Sequence, residues 1–251
     1  MSSLTPPPID HGKRRLGTAL IPPLAVLAVI WAVFLVDLVL DLGLYRHGIR
    51  PRSLPGLQGI AFAPFLHGGW QHLINNSSAC LVLGWLLVYF FPSITGRIVL
   101  LTALVSGTFV WAVGRDSYHI GASGVVYGLA AFLFFSGLFR RQVAMMAVSA
   151  IVVFLYGSMW WNVLPLDPGI SWESHLSGAC FGVAAAWYYR RLPPAHVPPP
   201  LVLEDDPDEE PNEPPTDGDE VNDAEMRWRR ELAQRTPNGY DPERTSSTLP
   251  W

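Results

Sequence analysis

Long apolar runs, separated by short polar or Pro- and Gly-containing breaks, fill the first 191 residues of the chain. A helix that crosses a lipid bilayer needs roughly 20 mostly apolar residues, because its backbone polar groups must find partners within the helix itself. Six runs approach this length, at about residues 16–40, 71–91, 98–113, 123–139, 143–161 and 174–189. The pattern predicts an all-α membrane protein in which residues 16–191 form a bundle of six transmembrane helices.

The first run follows a basic segment that contains Lys13, Arg14 and Arg15. A secretory signal peptide begins in the same way, but its apolar part is shorter, roughly 7–15 residues, and a small-x-small cleavage site follows it. This run is longer and no such site follows it. We therefore expect it to remain as a membrane anchor, with residues 1–15 as a cytoplasmic N-terminal segment.

Charge divides the chain into an apolar body and an acidic tail. Residues 1–191 contain 12 Lys and Arg against 6 Asp and Glu, whereas residues 192–251 contain 5 Arg against 15 Asp and Glu. The whole chain is 50% hydrophobic and 15% charged. This composition excludes an ordinary soluble enzyme, a disulfide-stapled secreted domain and a nucleic-acid-binding protein that acts through overall charge. It predicts a disordered, acidic, Pro-rich cytoplasmic tail and leaves open whether an unknown partner binds it.

An even number of spans places both termini on one side of the membrane. Eight Lys and Arg flank the predicted spans on that side, and four flank them on the other. In membrane proteins the cytoplasmic loops carry the excess of basic residues. We therefore expect a multi-pass protein of the cell membrane with both termini in the cytoplasm.

Four polar residues lie near the start of the second, fourth and sixth predicted spans: His72, Asn76, Ser123 and His175. A polar group inside a bilayer is costly, and by default it indicates a functional site. Alternate spans run in the same direction, so all four residues are expected at one depth. With cytoplasmic termini, that depth is near the extracytoplasmic face, and the site should open to that side.

The fourth and sixth spans also carry the Gly-x-x-x-Gly spacing that lets two membrane helices approach closely. These glycines are Gly124 and Gly128 in the fourth span and Gly178 and Gly182 in the sixth. Contact between the two faces would bring the Ser123 hydroxyl to the His175 imidazole. A serine hydroxyl needs such a base to act as a nucleophile, because the base takes its proton as it attacks.

His72 and Asn76 are four residues apart and therefore project from one face of the second span. Their N–H groups are suitable donors to an oxyanion, and the backbone N–H of Ser123, at a helix start, adds a third. Taken singly, each feature is better explained by helix packing or by an interhelical hydrogen bond worth about 0.6–2 kcal/mol than by catalysis. Their joint placement on three parallel helices favours catalysis.

Three motifs that contain these residues resemble those of the rhomboid family of intramembrane serine proteases. They read His-Gly-Gly-Trp-Gln-His-Leu-Ile-Asn-Asn at 67–76, Gly-Ala-Ser-Gly-Val-Val-Tyr-Gly at 121–128 and Ser-His-Leu-Ser-Gly-Ala-Cys-Phe-Gly at 174–182. The chain resembles the family over about residues 16–191. The resemblance implies a rhomboid-like six-helix bundle with a water-accessible cavity, acting with no cofactor and no metal.

The resemblance also implies a role for each residue. Ser123 would be the nucleophile and His175 the general base of a dyad, with His72 and Asn76 at the oxyanion site. The supporting residues would be Gly121 beside the nucleophile, Tyr127 packed on the His175 ring and His67 in a structural role.

Substrates of this family are single-span membrane proteins, so the implied partners are such proteins and the lipid bilayer, with no nucleic acid. The loops at 44–69 and 162–173 would cap the cavity. The rival interpretation is a non-catalytic rhomboid-like protein that binds membrane clients and retains or delivers them. Such proteins generally lack the nucleophile or the base, whereas this sequence has both Ser123 and His175.

Two further classes of protease fit the sequence less well. A metalloprotease would need His-Glu-x-x-His, which is absent, although His67, His72, His119 and His175 could in principle gather a metal. An aspartyl protease would need two aspartates in a Gly-x-Gly-Asp context, which Asp37 and Asp41 lack. Asp116 and Glu173, near the Ser and His in sequence, are expected to be solvated loop charges.

Overall fold

The structure is a computed structural model that describes residues 11–167 and 169–195. Residues 1–10 and 196–251 lie outside the described residues, and with them most of the N-terminal segment and of the tail predicted to be disordered. The part of the chain that the structure describes contains no β-strand, and its one β-bridge pairs Ile49 with His119.

Six long helices make up most of the described chain, after a short helix at His11–Thr18. They are α1 (Ile21–Leu40), α2 (Trp70–Phe90), α3 (Thr95–Val113), α4 (Ser123–Arg140), α5 (Val143–Tyr156) and α6 (Trp172–Tyr188). Short turns of helix lie at Leu44–His47, Pro55–Gln58, Gly59–Phe62 and Ala63–Phe65, and a longer one continues α5 over Gly157–Val163.

Five of the described helical segments are long and apolar enough to cross a membrane: Arg15–Leu40, Trp70–Phe90, Thr95–Val113, Ser123–Arg140 and Val143–Val163. The chain is therefore a multi-pass membrane protein, as predicted. The sixth predicted span corresponds to α6, which has 17 residues and falls just short of the roughly 20 that a full crossing needs. Small residues fill much of this helix, and it packs inside the bundle against α3 and α4.

Contacts at the two ends of the bundle show that α2, α4 and α6 are parallel. At one end, His175 near the start of α6 contacts Ser123 at the start of α4. At the other end, Arg140 in the last turn of α4 donates a hydrogen bond of 2.6 Å to the carbonyl of Tyr189, just after α6. The same guanidinium lies 4.9 Å from the ring centre of Phe91, just after α2.

The central helix is α4, which contacts α2, α3, α5 and α6 and has more buried residues than any other described helix. Its closest neighbour is α6. A Cβ atom on Gly178 would overlap the carbonyl oxygen of Gly124, and a Cβ atom on Gly182 would overlap the carbonyl oxygen of Gly128. The two backbones are therefore in direct contact, which only glycine permits.

We expect Gly178→Ala to destabilise the bundle by about 1–3 kcal/mol, because the new methyl group forces α4 and α6 apart. Thermal unfolding in detergent measures the change. Gly96→Ala in α3 is the matched control, since nothing lies within 4 Å of the added atom and alanine favours a helix. Its melting temperature should equal or exceed that of the wild type. Equal melting temperatures for Gly178→Ala and wild type would contradict the direct backbone contact.

Candidate active site

A serine–histidine pair lies where α4 and α6 begin. The Oγ of Ser123 is 2.8 Å from the Nε2 of His175. The other ring nitrogen, Nδ1, is 2.9 Å from the backbone carbonyl oxygen of Asn162. A carbonyl oxygen only accepts, so Nδ1 carries the ring proton and Nε2 of the neutral ring accepts from the Ser123 hydroxyl. This is the tautomer that a general base requires.

The ring of Tyr127 fixes the plane of the His175 imidazole. The two rings are stacked, with centroids 4.0 Å apart and an interplanar angle of 7°. The Tyr127 hydroxyl donates a hydrogen bond of 2.7 Å to the carbonyl of Met159, which holds the phenol in place. Because Tyr127 lies one helical turn after Ser123 on α4, a single helix supplies both the serine and the support for the histidine.

Gly121 and His72 lie together beside the serine. Gly121 has a positive φ of 107°, a conformation that L side chains rarely adopt. A Cβ atom there would also overlap the His72 ring. The N–H of Gly121 donates a hydrogen bond of 2.8 Å to the carbonyl of Ala63, which ties the loop before Ser123 to the loop before α2.

Asn76 is buried on the same helix as His72. Its Nδ2 donates a hydrogen bond of 2.9 Å to the backbone carbonyl of His72. Only one amide hydrogen takes part in this bond, so the second remains for another acceptor. Among the described residues, neither the Asn76 nor the His72 side chain forms a hydrogen bond with Ser123. Both residues lie on the helix that borders the serine loop.

A family model for the rhomboid domain matches residues 56–192, more than half of the chain. The chain belongs to the rhomboid family. An uncharacterized protein of Mycobacterium tuberculosis is 38% identical over 176 residues, which are 65% of this chain and 72% of the relative. A protein of Mycobacterium leprae, also uncharacterized, is 37% identical over 176 residues, 65% of this chain and 68% of its own length.

A Bacillus subtilis protein provisionally named a rhomboid protease is 30% identical over 130 residues, 47% of this chain and 59% of its own length. The matched rhomboid domain contains α2 to α6 and the second half of the loop before α2. All three sequence motifs therefore lie within it.

His67 of the rhomboid domain is a buried neighbour of His72 and is not part of the serine–histidine pair. Its ring centroid is 4.9 Å from that of His72, and neither ring nitrogen has a hydrogen-bond partner among the described residues. Burial, and then the proximity of His72, lower the pKa of His67 from 6.5 to about 4. The ring is therefore neutral near neutral pH, which suits a packing role.

The expectation that Glu173 is a solvated loop charge is wrong. Glu173 lies in the first turn of α6 and is 2% exposed. Its carboxylate forms an ion pair of 2.8 Å with the guanidinium of Arg115, which offsets the cost of burying the charge. Asp116 does match the expectation, since its side chain is 71% exposed and 3.5 Å from Arg50.

His119, which the sequence suggested only as one member of a metal-binding set, has a different environment. Its Nδ1 is 2.7 Å from the Oγ of Ser171, just before α6. Within residues 11–167 and 169–195, no three His, Cys, Asp or Glu side chains converge as a metal site requires. Sequence reasoning did not predict that the loop after α3 contacts the start of α6, because that contact depends on the folded path of the chain.

We expect the free energy of unfolding to fall as the pH drops from about 6.5 towards about 4. In this range His67 binds a proton in the unfolded chain, whereas its lowered pKa keeps it neutral in the folded protein. His67→Gln removes this contribution, so its melting temperature should fall less on acidification than that of the wild type. His47→Gln, the same change at an exposed loop position, is the control. Identical pH profiles for His67→Gln and wild type would show that His67 does not contribute.

Proposed function

We propose that this rhomboid-family protein is an intramembrane serine endopeptidase that cleaves single-span membrane proteins. The observation that carries the proposal is the hydrogen bond between Ser123 Oγ and His175 Nε2, with the opposite ring nitrogen donating to a carbonyl. This tautomer has its lone pair directed at the serine hydroxyl. Non-catalytic binding of a client needs no such pairing.

The reaction follows from this geometry. Ser123 Oγ attacks the carbonyl carbon of the scissile peptide bond while its proton moves to His175 Nε2. The tetrahedral intermediate collapses as the imidazolium gives that proton to the leaving amine, which breaks the C–N bond and leaves an acyl-serine. Water then attacks the acyl carbon with His175 again as base, releasing the acid and restoring the serine. Because Nδ1–H stays bound to the carbonyl of Asn162, the ring keeps its orientation throughout.

Hydrogen-bond donors for the oxyanion lie on two helices. Ser123 is the first residue of α4, and the first N–H groups of a helix have no partner within it. These groups also lie at the positive end of the helix dipole. The second amide hydrogen of Asn76 and the His72 ring, one helix away, supply the side-chain donors in this proposal. No step draws on a metal or an organic cofactor.

The position of the site at the starts of α2, α4 and α6 supports a location near one membrane surface. With the excess of basic residues on the opposite side, that surface is extracytoplasmic and both termini are cytoplasmic. Water needed for hydrolysis then reaches the serine from outside the cell. The partners are the bilayer and the transmembrane segments of single-span proteins, whose helix must unwind for its peptide bonds to reach Ser123.

We expect Ser123→Ala and His175→Ala each to abolish cleavage of a single-span membrane protein reconstituted with the protein in liposomes. The nucleophile is lost in the first variant and its base in the second. Product bands on gels, with mass spectrometry of the fragments, measure the effect, and thermal melting checks that both variants are folded. Full cleavage by Ser123→Ala would exclude Ser123 as the nucleophile.

Asn76→Ala should lower kcat by roughly 10²–10³, as the loss of one oxyanion donor does in serine hydrolases. The bond that is cut should not change, because the donor does not select the substrate. Asn75→Ala is a matched control on the same helix, since Asn75 is exposed and its side-chain oxygen accepts a hydrogen bond of 2.8 Å from Gln71. Equal kcat values for the two variants would remove Asn76 from the oxyanion site.

A further inference from the structure

Two polar contacts join the loop before α4 to the start of α6, in addition to the Ser123–His175 pair. We call the four residues that form them the loop clasp: Arg115, His119, Ser171 and Glu173. Arg115 follows the end of α3, and Glu173 lies two residues before His175. The clasp thus connects the same two chain segments that supply the serine and the histidine.

The first contact is an ion pair between buried Glu173 and half-exposed Arg115, with several hydrogen bonds. Glu173 Oε1 accepts from the backbone N–H of Arg115 at 3.1 Å and from its Nε–H at 2.8 Å. The guanidinium of Arg115 also donates to the backbone carbonyl of Ile170, just before α6. Arg115 therefore binds both the first turn of α6, through Glu173, and the backbone that leads into it, at Ile170.

The second contact involves His119 and Ser171. The His119 Nε2 lies 3.0 Å from the carbonyl oxygen of Arg115, which only accepts, so Nε2 carries the proton. Nδ1 therefore accepts from the Ser171 hydroxyl at 2.7 Å. Ser171 occupies the N-cap position of α6, where serine normally bonds to the helix itself, yet it makes no such bond. The Ser171 side chain, which could cap α6, therefore binds His119 in the loop before α4.

The loop before α2 supports the clasp from its other side. Ile49 and His119 exchange two backbone hydrogen bonds, of 3.0 and 2.8 Å. The guanidinium of Arg52 donates a bond of 2.8 Å to the carbonyl of Gly114, next to Arg115. The loop that carries Arg115 and His119 is therefore fixed before it meets α6.

We infer that the loop clasp positions His175 against Ser123, so that its members are positioning residues of the proposed peptidase. The glycine contacts between α4 and α6 fix how close the two helices lie. Gly178 and Gly182 lie one and two turns after His175, whereas the clasp binds the first turn of α6, which determines where the imidazole points. A misplacement of about 1 Å between reacting groups costs roughly 10²-fold in rate. The inference rests on the proposed function, since it concerns the same site.

A purely stabilising role does not account for the chemistry of the clasp. An ion pair with one buried and one half-exposed partner contributes little net stability, because the cost of removing the carboxylate from water cancels much of the attraction. Directional bonds from one planar guanidinium to a carboxylate and a carbonyl do fix geometry. These bonds meet the chain within five residues of His175.

Labelling by a fluorophosphonate probe distinguishes the orientation of the serine–histidine pair from probe binding. Its saturation kinetics give a rate constant kinact for the covalent step and a binding constant KI. Glu173→Leu should lower kinact roughly ten-fold or more with KI within two-fold of the wild type. Glu173→Gln keeps the oxygen that accepts from Arg115, so its kinact should be restored part of the way. All rates are measured at a temperature where melting curves show every variant folded.

Two controls match the test variants. Asp116→Asn removes an exposed carboxylate next to Arg115, paired with Arg50 at 3.5 Å, and should leave kinact unchanged. Arg140→Gln removes a guanidinium that binds the carbonyls after α6 at the opposite end of the bundle. It should lower the melting temperature without changing kinact. If Glu173→Leu does not fold, Ser171→Ala takes its place and should also lower kinact.

The outcomes are distinct. A kinact equal to that of the wild type in the folded Glu173 variants would overturn the positioning role, and so would a change confined to KI. An equal fall in kinact in Arg140→Gln and in Glu173→Leu would show that the loss reflects stability alone and would overturn the positioning role. A wild type with no Ser123-dependent labelling would overturn the proposed function, and the inference with it.

Discussion

The close approach of α4 and α6 is the constraint on which the rest of the structure depends. The carbonyl oxygens of Gly124 and Gly128 occupy the positions that side chains at Gly178 and Gly182 would take. In a bilayer there is little hydrophobic gain when two apolar helices meet, so backbone packing of this kind is what holds them together. The same approach makes a 2.8 Å hydrogen bond between residues of two helices attainable. The packing of α4 against α6 therefore also brings Ser123 and His175 together.

Two neutral groups hold the ring of His175 in place. The carbonyl of Asn162 holds one ring nitrogen and the ring of Tyr127 holds the plane. The buried carboxylate in the same turn, Glu173, binds Arg115. The charged pair thus joins the loop before α4 to the first turn of α6, and neutral contacts hold the His175 ring.

The number and limits of the helices, and the pairing of Ser123 with His175, follow from the sequence because each depends on periodicity, depth or small-residue spacing. The burial of Glu173 does not follow, because a charged residue between two apolar runs resembles any loop charge until its partner is known. That partner is Arg115, 58 positions earlier in the chain. The role of the carbonyl of Asn162 is equally hidden, since every residue has a carbonyl and only the folded path of the loop selects one.

The most direct test of an activated Ser123 needs no substrate. The purified protein is treated in detergent with a fluorophosphonate, and the modified residue is identified by mass spectrometry of the peptides. We expect one adduct, on Ser123, that disappears when the protein is unfolded before treatment or when His175 is replaced by alanine. A folded protein that takes up no probe, beside an active serine hydrolase that does, would contradict the account and favour the client-binding interpretation.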